Sequence, residues 1–210
     1  MVETGRTDVP EFSVDWYQDI VGFAADTPQP VRWFAGHFTE GAILLLGALL
    51  LVAAVSRLGG TARDRAYALV APVTVVLAYG CSEWLKTVVD QDRPCRAATA
   101  ELAIIAGGCP PTGDWSFPSN HATIAGALAA ATLLLSRRLG LVALPVAALA
   151  AFSRTFVGVH YPHDVVAGAL LGALVAVLLT PLLARPVADL LRRRSRHPDR
   201  PAPDATPTRP

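Results

Sequence analysis

The stretch Ser153-Arg154-Thr155-Phe156-Val157-Gly158-Val159-His160-Tyr161-Pro162-His163-Asp164 sets a guanidinium, two imidazoles and a carboxylate between two apolar runs, Leu139 to Phe152 and Val165 to Ala184. Charged groups next to long hydrocarbon-like segments are costly and need a reason. His160 and Asp164 are four residues apart, so an Asp164 that opens the next helix can reach back to one imidazole nitrogen. The other nitrogen is then free as a nucleophile or base. Arg154 supplies a planar fork that suits an oxyanion. The same residues in an ordinary loop at a membrane surface would need no chemistry at all, so the reading turns on what else the chain carries.

Two further clusters decide it. In Lys86-Thr87-Val88-Val89-Asp90-Gln91-Asp92-Arg93-Pro94 two cations stand seven apart, which puts them on one face of a helix that Pro94 brings to an end. Lys86 is the single lysine of the chain, all other basic residues being arginine, so a compact, strongly hydrated ammonium is singled out for this place. In Phe117-Pro118-Ser119-Asn120-His121, directly before the apolar run Ala122 to Leu135, Ser119 takes an N-cap position and Asn120 and His121 the first turn. Free backbone N–H groups there form an anion site, and His121 is placed to give or take a proton. Most serines before a helix only cap it, and a cation at a helix end is often merely solvated. Three such clusters in one chain are far more specific.

Taken together, Lys86-x6-Arg93-Pro94, Pro118-Ser119-x-His121 and Ser153-Arg154-x5-His160-x3-Asp164 resemble the three signature motifs of the type-2 phosphatidic acid phosphatase superfamily, which holds membrane lipid phosphatases and soluble vanadium haloperoxidases. The resemblance runs from Lys86 to Asp164 with every spacing kept. It departs in one place, where Asn120 stands at the usual glycine of the second motif; this puts a side chain in the pocket and bears on substrate choice. The resemblance implies that His160 takes the phosphoryl group as phosphohistidine, Asp164 orients it, and His121 protonates the leaving oxygen. It implies that Lys86, Arg93, Ser119, Asn120 and Arg154 hold the phosphate, with no metal and no cofactor.

Composition agrees with a membrane setting. The chain has 210 residues, 52% of them hydrophobic, and a mean hydropathy of +0.41, too apolar for an ordinary soluble domain. Its net charge of +1 gives no reason to expect a nucleic-acid partner. Residues 1–33 carry Glu3, Asp8, Glu11, Asp15, Asp19 and Asp26 and no basic leader, so no cleaved signal is expected. Within them Phe12, Trp16, Ile20 and Phe23 recur at helical spacing, which predicts a short amphipathic helix on the membrane with Trp16 and Tyr17 at headgroup level.

Five apolar runs follow, Phe34 to Val55, Ala66 to Leu85, Ala122 to Leu135, Leu139 to Phe152 and Val165 to Ala184. Their uncharged cores, such as Gly41 to Val55, are mostly short of the ~20 residues a bilayer needs, so the motif residues complete the spans and sit at headgroup depth. Pro72 and Pro145 inside them are tolerable in membrane helices. Alternating spans bring all three motifs to one side. The other side receives Arg57, Arg63, Arg65, Arg137, Arg138 and the arginines from Arg185 onward, which by the positive-inside rule makes it cytoplasmic and the motif side extracytoplasmic. Cys95 and Cys109, in a turn-rich loop from Pro94 to Phe117 on that oxidising side, are expected to pair, while Cys81 is expected as a small buried residue of the second span.

The expected protein is thus an all-α integral membrane bundle of five transmembrane helices plus an N-terminal amphipathic surface helix. Residues 1–33 form the arm, 34–185 the phosphatase domain and 186–210 a disordered cytoplasmic Arg/Pro-rich tail. The resemblance points to a bacterial inner-membrane enzyme, most like the undecaprenyl-diphosphate phosphatases, working on a lipid phosphate or diphosphate. Alternatives are a phosphatidate or phosphatidylglycerophosphate phosphatase, a vanadate-binding haloperoxidase, which five spans argue against, and a non-catalytic lipid-binding relative, which would lack a motif residue. The oligomeric state is not legible.

Overall fold

A computed structural model describes residues 9–96, 105 and 108–196. Among the described residues six α-helices follow one another: α1 (Glu11–Asp26), α2 (Gln29–Arg57), α3 (Ala62–Val89), α4 (Asn120–Leu135), α5 (Arg137–Phe156) and α6 (Pro162–Arg196). The expected N-terminal helix is α1, and its two faces divide as a helical period demands. Phe12, Trp16 and Phe23 face outward, more than half exposed, while Ser13, Tyr17, Val21 and Ala24 are buried. Tyr17 therefore does not share the headgroup position of Trp16; one step along a helix turns a side chain by about 100°. Instead its hydroxyl donates to the carbonyl of Gly158 (3.0 Å) and its ring packs on Tyr161.

α2, α3, α5 and α6 are each long and apolar enough to cross a bilayer. α4, the fifth apolar helix, has 16 residues and rises only about 24 Å, short of the ~30 Å hydrocarbon core. It is packed by α2, α3, α5 and α6, so most of its Ala-rich length, from Ala122 to Thr132, is buried in protein and need not match the lipid. The lipid-facing side of the bundle is an apolar belt that includes Leu44, Leu51, Val76, Leu141, Leu149 and Leu170, all at least half exposed. In water such a surface would aggregate.

The turns are tight. Thr61 and Asp64 form a reciprocal capping box at the start of α3, and Arg57 pairs with Asp64 at 2.8 Å. Ser136 alone both ends α4 and caps α5. α4 and α6 touch backbone to backbone: a Cβ on Gly172 would lie 1.9 Å from the Thr123 carbonyl oxygen, and one on Gly168 2.5 Å from that of Ser119. Only glycine fits there, and the approach draws the start of α4 onto the start of α6.

Two further expectations are corrected. The tail does not lose structure at residue 186, because α6 runs through Pro181 and Pro186 to Arg196; Ala184 and Ala188 are buried in a cluster with Ala66 and Val70 of α3, so apolar packing continues past the proline. Residues 197–210 lie outside the described ones, as do 1–8 and most of the loop at 97–107. Cys81 is exposed, not buried, on the same outward stripe of α3 as Leu77, Trp84 and Val88.

Candidate active site

α3 stops at Val89, where Asp90 takes a left-handed conformation (φ 35°) and its N–H closes on the Lys86 carbonyl. Lys86 and Arg93 therefore do not share a helix face, as the spacing had suggested; aspartate tolerates the left-handed cap, and the chain leaves the helix before Pro94 can end it. The two cations still converge. Lys86 Nζ lies 2.7 Å and Arg93 Nη2 2.9 Å from the same oxygen, Oδ1 of Asp114. Both cations are 4% exposed. Burial alone would raise the Asp114 carboxyl pKa, but the hydrogen bonds from Lys86 and Arg93 outweigh it and hold it below the usual range. Arg96, in the short 3-10 turn Pro94–Arg96, is engaged by the carbonyls of Pro110 and Pro111 and by Asp92, not by this site. Cys95 and Cys109 are joined by a disulfide that ties the two ends of the intervening loop.

Ser119 is the N-cap of α4, yet its hydroxyl does not cap; it is buried with no hydrogen-bond partner. Its N–H donates to the carbonyl of Asp164 (3.1 Å), which locks the second motif to the third. Asn120 does not fill the pocket. Its Oδ1 accepts from Ser82 (2.7 Å) and its Nδ2 donates to Glu83, so the side chain that replaces glycine staples α4 to α3. His121, one step further around the helix, sets its Nε2 2.8 Å from Oε1 of Glu40 on α2.

His160 follows the end of α5 and is 2% exposed. Its Nε2 lies 2.9 Å from Arg93 Nη1, so it presents a lone pair toward the cations. Its Nδ1 lies 3.3 Å from the Ser116 hydroxyl and 3.5 Å from Asp164 Oδ2, and Ser116 donates to that same carboxylate oxygen. Burial, reinforced by Arg93 and Arg154 against the opposing Asp164, pushes the His160 pKa down to about 4, so the imidazole is neutral and nucleophilic at pH 7. Asp164 is fully buried and accepts also from the Tyr161 N–H (2.9 Å) and from Gln91 Nε2 (3.0 Å), while His163 Nε2, 3.0 Å from its Oδ1, bonds to Gln91 Oε1 (3.1 Å). His163 has its Nδ1 on Ser13 of α1 (2.7 Å), so both its nitrogens are occupied. Arg154, on the last turn of α5, has a buried Nε with no partner and lines a cavity of about 420 Å³ together with Gly36, Thr39, Glu40, Cys109 and Val159.

All eight residues expected at the site thus lie at one end of the bundle: Lys86 and Arg93 meet at Asp114, Arg93 reaches His160, and Asp164 backs His160 and holds the Ser119 N–H, whereas the Asn120 side chain turns away to Ser82 and Glu83. Sequence reasoning missed Glu40, Asp114, Ser116 and Gln91. Gln91 sits inside the first motif and Ser116 three residues before Ser119, but nothing in their spacing marks them. Glu40 carried a signal that was passed over, an acid inside an otherwise apolar span.

Comparison with known proteins gives the family and the fold. A family model described as the PAP2 superfamily matches residues 67–187. An undecaprenyl-diphosphatase of Bacillus subtilis, BcrC, is 34% identical over 154 residues, covering 73% of each chain. A decaprenylphosphoryl-5-phosphoribose phosphatase of Mycobacterium tuberculosis is 35% identical over 156 residues, 73% of this chain and 77% of the other. The crystal structure of Aquifex aeolicus LpxE superposes with a TM-score of 0.65 at 19% identity, covering 84% of this chain and 99% of that one.

Proposed function

This chain belongs to the PAP2 superfamily as a multi-pass membrane lipid phosphate hydrolase, and from that premise we propose that it removes the terminal phosphate of undecaprenyl diphosphate at the extracytoplasmic face of the bacterial inner membrane. The observation that carries the mechanism is the orientation of His160: Nδ1 is held from behind by Ser116 and Asp164, and Nε2 faces the space beside Arg93. In the first step Nε2 attacks the terminal phosphorus and the bond to the bridging oxygen breaks. Lys86, Arg93, Arg154 and the Ser119 hydroxyl hold the equatorial oxygens. His121 protonates the lipid monophosphate as it leaves, its imidazolium supported by Glu40. Water, deprotonated by His121, then opens the phosphohistidine and releases inorganic phosphate.

The substrate rests on the likeness to BcrC and, more weakly, on a cluster of three cations suited to a diphosphate. Sidedness rests on the arginine distribution: Arg57, Arg63, Arg65, Arg137, Arg138 and the arginines at the end of α6 lie at the end of the bundle opposite the motifs. A second reading, a polyprenyl phosphomonoesterase, is favoured by the equally similar mycobacterial relative. Phosphate release by purified enzyme from undecaprenyl diphosphate, a polyprenyl-linked sugar phosphate and phosphatidylglycerophosphate, at matched surface concentration, separates them; faster turnover of either monoester overturns the diphosphate. Activity in sealed right-side-out vesicles that equals that in inside-out ones, without detergent, overturns the sidedness.

A further inference from the structure

The cradle just described is half filled by the protein itself. Oδ1 of Asp114 takes both Lys86 Nζ and Arg93 Nη2 at the separations of charge-assisted hydrogen bonds. The other two members, the Ser119 hydroxyl and Arg154 Nε, are buried and have no partner. The Asp114 carboxylate, through Oδ1, meets one half only, whereas a tetrahedral phosphate has oxygens for both. Asp114 also stands at the mouth: its side chain is 42% exposed, while Lys86 and Arg93 beneath it are 5% and 4% exposed.

We infer that Asp114 is an internal stand-in for phosphate, neutralising Lys86 and Arg93 in the resting enzyme and returning to them as product phosphate leaves. This rests on the reading that the cradle holds phosphate. Without Asp114, Lys86 would keep only Glu83, 3.8 Å away, and Arg93 would have no carboxylate within salt-bridge distance among the described residues, a costly state at that depth, so an empty site needs an anion of its own. The backbone allows the carboxylate to swing out without moving the loop. Arg93 Nε holds the Asp114 carbonyl (2.8 Å), the Asp114 N–H holds Pro111 (3.2 Å), and the Ser116 N–H holds the Gln91 carbonyl (2.8 Å), none of which uses the side chain. The displacement cost falls on every ligand alike. A lipid substrate is retained near the site by its tail, so the cost acts mainly on free inorganic phosphate, which has nothing else to hold it.

The test is the affinity of detergent-solubilised enzyme for inorganic phosphate, by calorimetric titration and as the inhibition constant in lipid phosphate hydrolysis. Asp114→Asn and Asp114→Ser are expected to bind phosphate about tenfold or more tightly than the wild type, the scale of a charge-assisted contact removed from competition. Unchanged or weaker phosphate binding overturns the inference and makes Asp114 a structural staple for the two cations. Arg154→Leu separates the two levels of the argument. If it leaves phosphate binding as in the wild type while the Asp114 variants do too, the cradle reading fails; if it weakens binding while they do not tighten it, only the role of Asp114 fails.

Discussion

Nδ1 of His160 stands 3.5 Å from Oδ2 of Asp164, and the Ser116 hydroxyl touches both, 3.3 Å from the imidazole and donating to the carboxylate. Asp164 thus reaches the His160 imidazole largely through an intervening hydroxyl. Asp164 itself is pinned by the Tyr161 N–H and Gln91 Nε2, so the imidazole is oriented by a carboxylate that cannot turn.

Ser116→Ala should lower kcat by about fivefold with KM little changed, since one hydrogen bond of about 1 kcal/mol orients the nucleophile without touching phosphate. Asp164→Ala should cost far more, because it also leaves Gln91 Nε2 and the Tyr161 N–H without an acceptor. Steady-state kinetics on the two variants checks the order; equal losses would contradict the relay.

His160→Ala should abolish both turnover and trapping of an acid-labile phosphoprotein, whereas His121→Ala should impair turnover most for substrates with poor leaving groups. Glu40→Gln should behave as a mild copy of His121→Ala, its effect also growing as the leaving group worsens, because the carboxylate 2.8 Å away supports the protonated imidazole. Rates across a leaving-group series read both. Labelling at His163 in place of His160 would falsify the assignment of the nucleophile.

His160 should titrate at about pH 4 in the substrate-free enzyme, seen by NMR as the imidazole signal that His160→Gln removes. The sign for stability follows. Between the ordinary 6.5 and about 4 the unfolded chain binds a proton that the native one refuses, so this contribution is full above 6.5 and is lost as pH falls toward 4. The thermal midpoint should therefore fall less steeply across that window in His160→Gln. A midpoint for His160 at or above 6.5 would contradict the buried, neutral nucleophile.

Gly172→Val should destabilise the bundle by about 1–3 kcal/mol or more, because its Cβ would meet the Thr123 carbonyl at 1.9 Å and push α4 from α6. Activity should fall with stability, since the Ser119 N–H to Asp164 carbonyl bond crosses the same seam. Gly41→Ala, on open space, is the control. Unfolding in mild detergent compares them.

The spacing of Lys86, Arg93, Ser119, His121, Arg154, His160 and Asp164 determined the family, and the apolar runs determined the helices, because hydropathy and local geometry act on neighbours along the chain. The same runs placed the motifs at one end, since short spans must alternate. What sequence periodicity misjudged were places where contacts distant in the chain prevail: α6 outlasts Pro186 by packing on α3, Tyr17 turns inward to Gly158, and Asn120 faces Ser82 and Glu83. Only the tertiary structure brought Glu40 to His121, 81 residues away, Asp114 to Lys86, and Ser116 between His160 and Asp164. Those partners have no spacing rule, because a hydrogen bond depends on where two side chains meet in space and not on how many residues lie between them.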